Sequence, residues 1–206
     1  MALDRGSPLA LTVLALLLSQ PLHPYGIQRL LRQWGKDQVV NVGQRAGLYR
    51  TIDRLVAEGL VKVRETGRDQ QYPERTTYEI TEKGRATLHK WLDDMLSTPK
   101  QEFPQFPAAL SSALMLLPGE LSDALTRREQ ALTETLARLD ASVAAGAGLP
   151  RITILEIEYL RAVTAAEAQW VRAVVDDLCA GRLTWSHEEL AALAAVRDRS
   201  GGTSIR

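Results

Sequence analysis

Between Leu60 and Ile80 the hydrophobic pattern changes period, and this change limits the possible folds more than any other feature of the sequence. The run LVKVRE (60–65) alternates Val61 and Val63 with Lys62 and Arg64, and RTTYEI (75–80) reads as a returning strand beyond the polar stretch TGRDQQYPE. Alternation sends successive side chains to opposite faces of an extended chain, so the two runs predict an antiparallel hairpin. A lone hairpin is marginal in water. It must rest on helices, and helical periodicity is found on both sides of it.

Three helices are predicted before the hairpin. The first begins with Ser7 as N-cap and Pro8 at the first helical position, is apolar nearly all round, and ends near Pro21. In HPYGIQRLLRQW, Ile27, Leu30, Leu31 and Trp34 share one helical face, and Gly35 stops the helix. In AGLYRTIDRLVAEG, Leu48, Ile52, Leu55 and Val56 form the apolar stripe of a third helix, closed by Gly59. After the hairpin, Thr81 and Gly84 open a helix through Leu88, Trp91, Leu92 and Met95 that ends before Pro99.

The apolar run Leu9–Leu18 invites comparison with an export signal. Only Arg5, next to Asp4, precedes it as a positive region, no small-residue cleavage site follows, and ten residues fall short of the roughly 20 that span a bilayer. A core helix in a cytoplasmic protein, with no membrane partner, is the expectation. The single cysteine, Cys179, excludes an internal disulfide framework and fits a reducing compartment. It is expected to be buried as a small hydrophobe at an apolar helix end. With only three scattered histidines beside it, no structural zinc site is expected, and no cofactor.

The expected domains are a helix-and-hairpin unit over 1–97, a hinge at 98–107 (TPKQEFPQFP) with three prolines, a helical unit over 108–199 and a disordered tail over 200–206. In the second unit Leu121, Leu125, Leu132, Leu136, Leu139 and Val143 approach a heptad spacing. Beyond AGAGLP, a long helix repeats the pattern through Leu155, Tyr159, Ala162, Ala166 and Trp170. A seam of that length predicts packing against a second copy of the chain.

The formal charge is zero but unevenly distributed. Residues 1–92 hold 14 Lys and Arg against 9 Asp and Glu, and residues 93–206 hold 11 against 16. An anionic partner should therefore meet the first half. Three helices followed by a basic hairpin is the order of a winged helix-turn-helix, and the third helix fits a DNA reader. With about 100° per residue and Leu48 at 0°, the apolar stripe lies between roughly −20° and 80°, while Arg50 and Arg54 point away near 200° and 240°. Tyr49 stands on the shoulder. Gln44 and Arg45 occupy the amino-terminal end, where a groove-inserted helix meets base edges. Arg and Gln can bond guanine and adenine in bidentate fashion. Lys62, Arg64, Arg68 and Arg75 of the wing would meet phosphates, which confer affinity without sequence information. The competing reading of each cation is a solvated helix face.

Enzyme signatures are missing. Gly35-Lys36 lacks the rest of a phosphate-binding loop, Gly146 and Gly148 lack the third glycine of a dinucleotide fingerprint, and no serine sits in G-x-S-x-G. The adjacent carboxylates Asp93-Asp94, Asp176-Asp177 and Glu188-Glu189 diverge on helices.

PYGIQRLL, LYRTIDRLVAEGLV and TTYEITEKGRATL resemble the winged-helix domain of the PadR family of bacterial transcriptional regulators. FPAALSSALMLL, LPRITILEIEYLRAVTAAEAQWVRAVVDDL and Leu183-Thr184-Trp185 resemble the carboxy-terminal helical domain of its longer members. Tyr25 and Tyr49 match tyrosines of the family pattern, whereas Gln44 and Gly47 stand where small hydroxyl residues are common. The resemblance implies a mainly α fold and a homodimer held by the carboxy-terminal helices. It also implies binding to double-stranded DNA of roughly palindromic sequence, often with release by a small effector.

The leading expectation is an effector-responsive repressor, its recognition helices about 34 Å apart on one face of B-DNA. Trp91, Phe103, Phe106 and Trp170 are candidates to receive a small aromatic effector, and core packing is the competing role for each. The alternative is a winged helix used as a protein-interaction module, with the acidic helical half as its surface. A sensor of cationic drugs is a third possibility.

Overall fold

The two alternating runs pair as an antiparallel hairpin, β1 (Val61–Gly67) with β2 (Arg75–Ile80), in the register Val61↔Ile80, Lys62↔Glu79 and Val63↔Tyr78. The computed structural model describes residues 6–36, 40, 45–67, 75–186 and 188–189, with the side chains of residues 45, 66, 67 and 75 also left outside the description. The register shifts between Val63 and Glu65. Leu22 adds a short antiparallel bridge to Tyr78, with reciprocal N–H···O bonds of 3.0 and 2.9 Å.

Around the hairpin lie α1 (Pro8–Ser19), α2 (Pro24–Gln33), α3 (Arg45–Ala57) and α4 (Glu82–Ser97). Their ends are chemically marked. Ser7 Oγ accepts the Ala10 N–H at 3.2 Å and Thr81 Oγ1 accepts that of Gly84 at 3.0 Å, each satisfying an orphan donor of a first turn. His23, not foreseen as a cap, accepts the Gly26 N–H on Nδ1 at 2.7 Å. Past α3, Gly59 takes φ 71°, which lets the Leu60 N–H turn back to the Leu55 carbonyl at 2.9 Å and launches β1.

The core of this unit gathers Val13 and Leu14 of α1, Ile27 and Leu31 of α2, Leu48, Ile52 and Leu55 of α3, and Leu88 and Trp91 of α4 over Val61 and Ile80. Each fully buried aliphatic side chain contributes about 1.5–3 kcal/mol. The expected face of α2 is shortened, since Trp34 is 53% exposed as the C-cap residue. Met95, expected on the apolar face of α4, is also exposed, because the last turn of that helix runs past the core.

The chain divides into two compact units, Met1–Glu102 and Phe103–Arg206. In the second, α5 (Gln105–Leu110) begins inside the stretch expected to be a hinge, so residues 105–107 are helical. Pro107 sits in the first turn of that helix, where a missing N–H costs nothing. After a 3-10 turn at Ala113–Met115 come α6 (Pro118–Ala145), a second 3-10 turn at Arg151–Thr153, and α7 (Leu155–Cys179). Ion pairs Arg128–Glu167, Glu129–Arg172 and Asp140–Arg161 link α6 to α7; the later α6 residue, Asp140, meets the earliest of the three α7 partners, Arg161, as antiparallel packing requires.

Leu121, Leu125, Val171 and Leu178 make the core of this unit, with Phe106, Leu132, Val174, Val175 and Trp185 packed around it. Trp185 donates its indole N–H to the Leu116 carbonyl at 3.0 Å. Cys179, expected to be buried, is exposed: the buried stripe of α7 runs through Leu178, and the next residue is about 100° further round the helix. Among the described residues no helix is long and apolar enough to cross a membrane.

Candidate nucleic-acid interface

Helix α3 is two-faced in the way its spacing predicts. Leu48, Ile52 and Leu55 are at most 2% exposed, while Tyr49, Arg50 and Asp53 stand in solvent. The Thr51 hydroxyl donates to the Gly47 carbonyl at 2.9 Å and is thereby turned back along the helix. Arg54, half-buried, lies 3.8 Å from the Glu58 carboxylate one turn on. It is therefore less open to an outside anion than Arg50.

The backbone start of α3 at Arg45 is described but its side chain is not, and Gln44 lies outside the described residues. So do Arg68 and the side chain of Arg75 in the wing, and the tail over 200–206. The described wing cations are not isolated. Lys62 Nζ is 2.9 Å from Glu79 and Arg64 Nε 3.8 Å from the same carboxylate. The lysine hydrogen bond is the largest cause that holds the Glu79 carboxyl below the usual carboxylate range; burial opposes it, and the charges of Lys62, Arg64 and Arg85 add smaller lowering effects.

Strand β2 also brings Tyr78 close to the outer face of α3. Burial first, then the nearby Asp53 and Tyr49, push the Tyr78 phenol above its ordinary value, so it is a neutral hydrogen-bonding group throughout the physiological range. Tyr25, in the first turn of α2, is 59% exposed, its ring 6.1 Å from that of the capping His23. A surface depression beside it is lined by Leu22, His23, Tyr25, Gly26 and Arg29 among others. Arg29 and Arg32 also stand exposed on α2. Their spacing of three residues is legible in the sequence, but spacing alone does not separate such cations from an ordinary solvated face.

The effector candidates separate. Trp91 is 6% exposed within the first core, and a Cβ placed on Gly6 would lie 2.2 Å from its indole. It is a core residue, and the effector role is withdrawn for it. Phe103 is 88% exposed. Phe106 and Trp170 meet edge to face with centroids 6.0 Å apart, and the Arg128 guanidinium sits 3.5 Å above the Phe106 ring while bonding Glu167. Leu155, Tyr159, Ala162, Ala166 and Trp170 all lie on the exposed face of α7, opposite the stripe that packs on α6. Among the described residues no group of His, Cys, Asp and Glu is placed to hold a metal ion.

Residues 13–90 match the model of the transcriptional regulator PadR-like family, whose members are regulators and not enzymes. A sequence search of curated proteins finds no match. Among solved structures, Bacillus subtilis PadR in complex with operator DNA is similar with a TM-score of 0.70 at 19% identity, over 84% of this chain and 99% of that one. The same protein in complex with p-coumaric acid gives 0.67 at 18% identity, over 82% and 98%. The Vibrio cholerae virulence activator AphA gives 0.61 at 19% identity, over 84% and 98%. The mainly helical architecture with a two-stranded wing is the fold these structures share with this chain.

Proposed function

We propose that this chain, whose residues 13–90 match the PadR-like family model, is a sequence-specific DNA-binding repressor that acts as a homodimer on a pseudo-palindromic operator and is released by a small aromatic effector. The observation that carries the reading is the outer face of α3. A buried stripe fixes the helix on its domain, and Tyr49 and Arg50 project from the other side beside a cationic hairpin. Arg50 reads a base edge, joined by Gln44 and Arg45 at the helix start, and Tyr49 packs against the groove wall. Tyr25, Lys62, Arg64, Arg68 and Arg75 serve the phosphates. Arg54 has a secondary role because Glu58 shares it.

The open apolar face of α7 supports the homodimer, since several large apolar side chains exposed together on one helix face suit an interaction site. Two chains related by a twofold axis then read two half-sites in opposite orientation. The effector component rests on Phe103, Phe106 and Trp170 in the second unit and on the neighbour seen with p-coumaric acid. An effector that binds better to the dimer off DNA must weaken DNA binding by the factor by which DNA weakens effector binding.

Selection from a pool of random duplexes tests the proposal. Enrichment of an inverted repeat with half-sites about 10–10.5 base pairs apart is expected. A pool that stays unenriched at low salt would favour the protein-interaction module instead.

A further inference from the structure

The wing carries a charge arrangement that DNA binding alone does not explain. Lys62 and Glu79 are direct cross-strand partners, with Nζ 2.9 Å from Oε1, and Arg64 Nε lies 3.8 Å from Oε2, so each oxygen of one carboxylate faces a cation. The register shift between Val63 and Glu65 makes Arg64 the extra residue of a β-bulge, and bulges re-aim the side chain they carry. The Lys62 and Arg64 side chains are 62% and 55% exposed and that of Glu79 is 27% exposed, so the anion is the most covered of the three. Arg85 of α4 adds positive potential at Glu79, but its own near partner is Glu82 at 3.9 Å. Exposed ion pairs contribute little to stability because water screens them. Holding the hairpin together is therefore a weak explanation for the cluster.

Building on the DNA-binding reading, we propose that Glu79 is the counter-charge that sets how much sequence-independent DNA affinity the wing supplies. It gathers Lys62 and Arg64 on one side of the hairpin and lowers their joint charge from two to one. Each phosphate neutralised by a protein cation releases condensed counterions, so log K falls with log salt with a slope of about 0.9 per phosphate. A carboxylate carried into the complex with two cations cancels one of those contributions. A wing of full charge would hold the protein more tightly on unrelated DNA, which outnumbers operators in any genome.

The test is a salt series of binding to an unrelated duplex and to a selected operator, using the full chain, wild type and Glu79→Gln. Glutamine keeps the shape of the side chain and a carbonyl that can accept from Lys62. The variant is expected to bind both duplexes several-fold more tightly at low salt. Its slope should be steeper by about 0.9 per bound chain, and its preference for the operator should be unchanged. The exchange Lys62→Glu with Glu79→Lys keeps the cross-strand pair and the net charge, and must retain the wild-type slope. If Glu79→Gln melts before binding can be read, Lys62→Gln must make the slope shallower by the same amount. Unchanged slopes in these single variants, with the wild type bound, overturn the proposal and leave the DNA-binding reading standing. A wild type that binds neither duplex overturns both.

Discussion

Gly84 sits where the first turn of α4 crosses the start of β1, and a Cβ built there would stand 2.1 Å from the Leu60 carbonyl oxygen and 2.8 Å from Ile80 Cγ1. Neither neighbour gives way readily, because that carbonyl accepts the Thr81 N–H at 3.0 Å and Ile80 belongs to the core. Gly84→Ala is therefore expected to lower unfolding stability by about 1–3 kcal/mol, read from urea denaturation; a midpoint equal to the wild type would show that α4 can slide away from β1. Charge at the residue scale follows the same local logic. Glu79 titrates below the ordinary carboxylate range. Its share of stability is present above the unfolded-state value and is lost as pH falls through the lower folded-state value. The net charge of its cluster is thus constant around neutrality.

At the scale of elements, periodicity made the fold legible. The alternation of Val61 and Val63 and the run RTTYEI located the hairpin, and the Leu48, Ile52, Leu55 stripe located α3 and the side on which Arg50 projects. The pairing of Glu79 with Lys62 and Arg64 was hidden because it depends on register, which the turn geometry between the strands decides and residue spacing does not. His23 was overlooked as a cap because imidazole is not among the usual capping groups. For Trp91 the sequence leaves effector contact and core packing both open, and its burial beside Gly6 favours the core.

Helix α7 shows what periodicity leaves ambiguous: two stripes share it, one through Val171 and Leu178 against α6, the other through Leu155, Tyr159 and Trp170 in the open. Tyr159, 68% exposed, can be changed with little effect on its own chain. Tyr159→Asp places a charge in the proposed seam and is expected to shift sedimentation from two chains to one with the helical signal intact; a variant that still sediments as two chains would remove α7 from the interface.

On the scale of the whole molecule, the first 92 residues carry a surplus of five positive charges and the remainder an equal negative surplus. One unit suited to a polyanion and one presenting an open apolar helix face are the two parts that the proposed DNA-binding dimer requires of each chain. The most direct measurement is binding of the purified protein to a fragment of its own promoter at two salt concentrations, with excess unrelated DNA, for the wild type and Arg50→Ala. The account predicts competitor-resistant binding that weakens steeply with salt. It also predicts that Arg50→Ala loses about 1–3 kcal/mol on the operator alone. Equal affinity of the two proteins for that fragment, or binding that the competitor abolishes, would contradict a reader built on the outer face of α3.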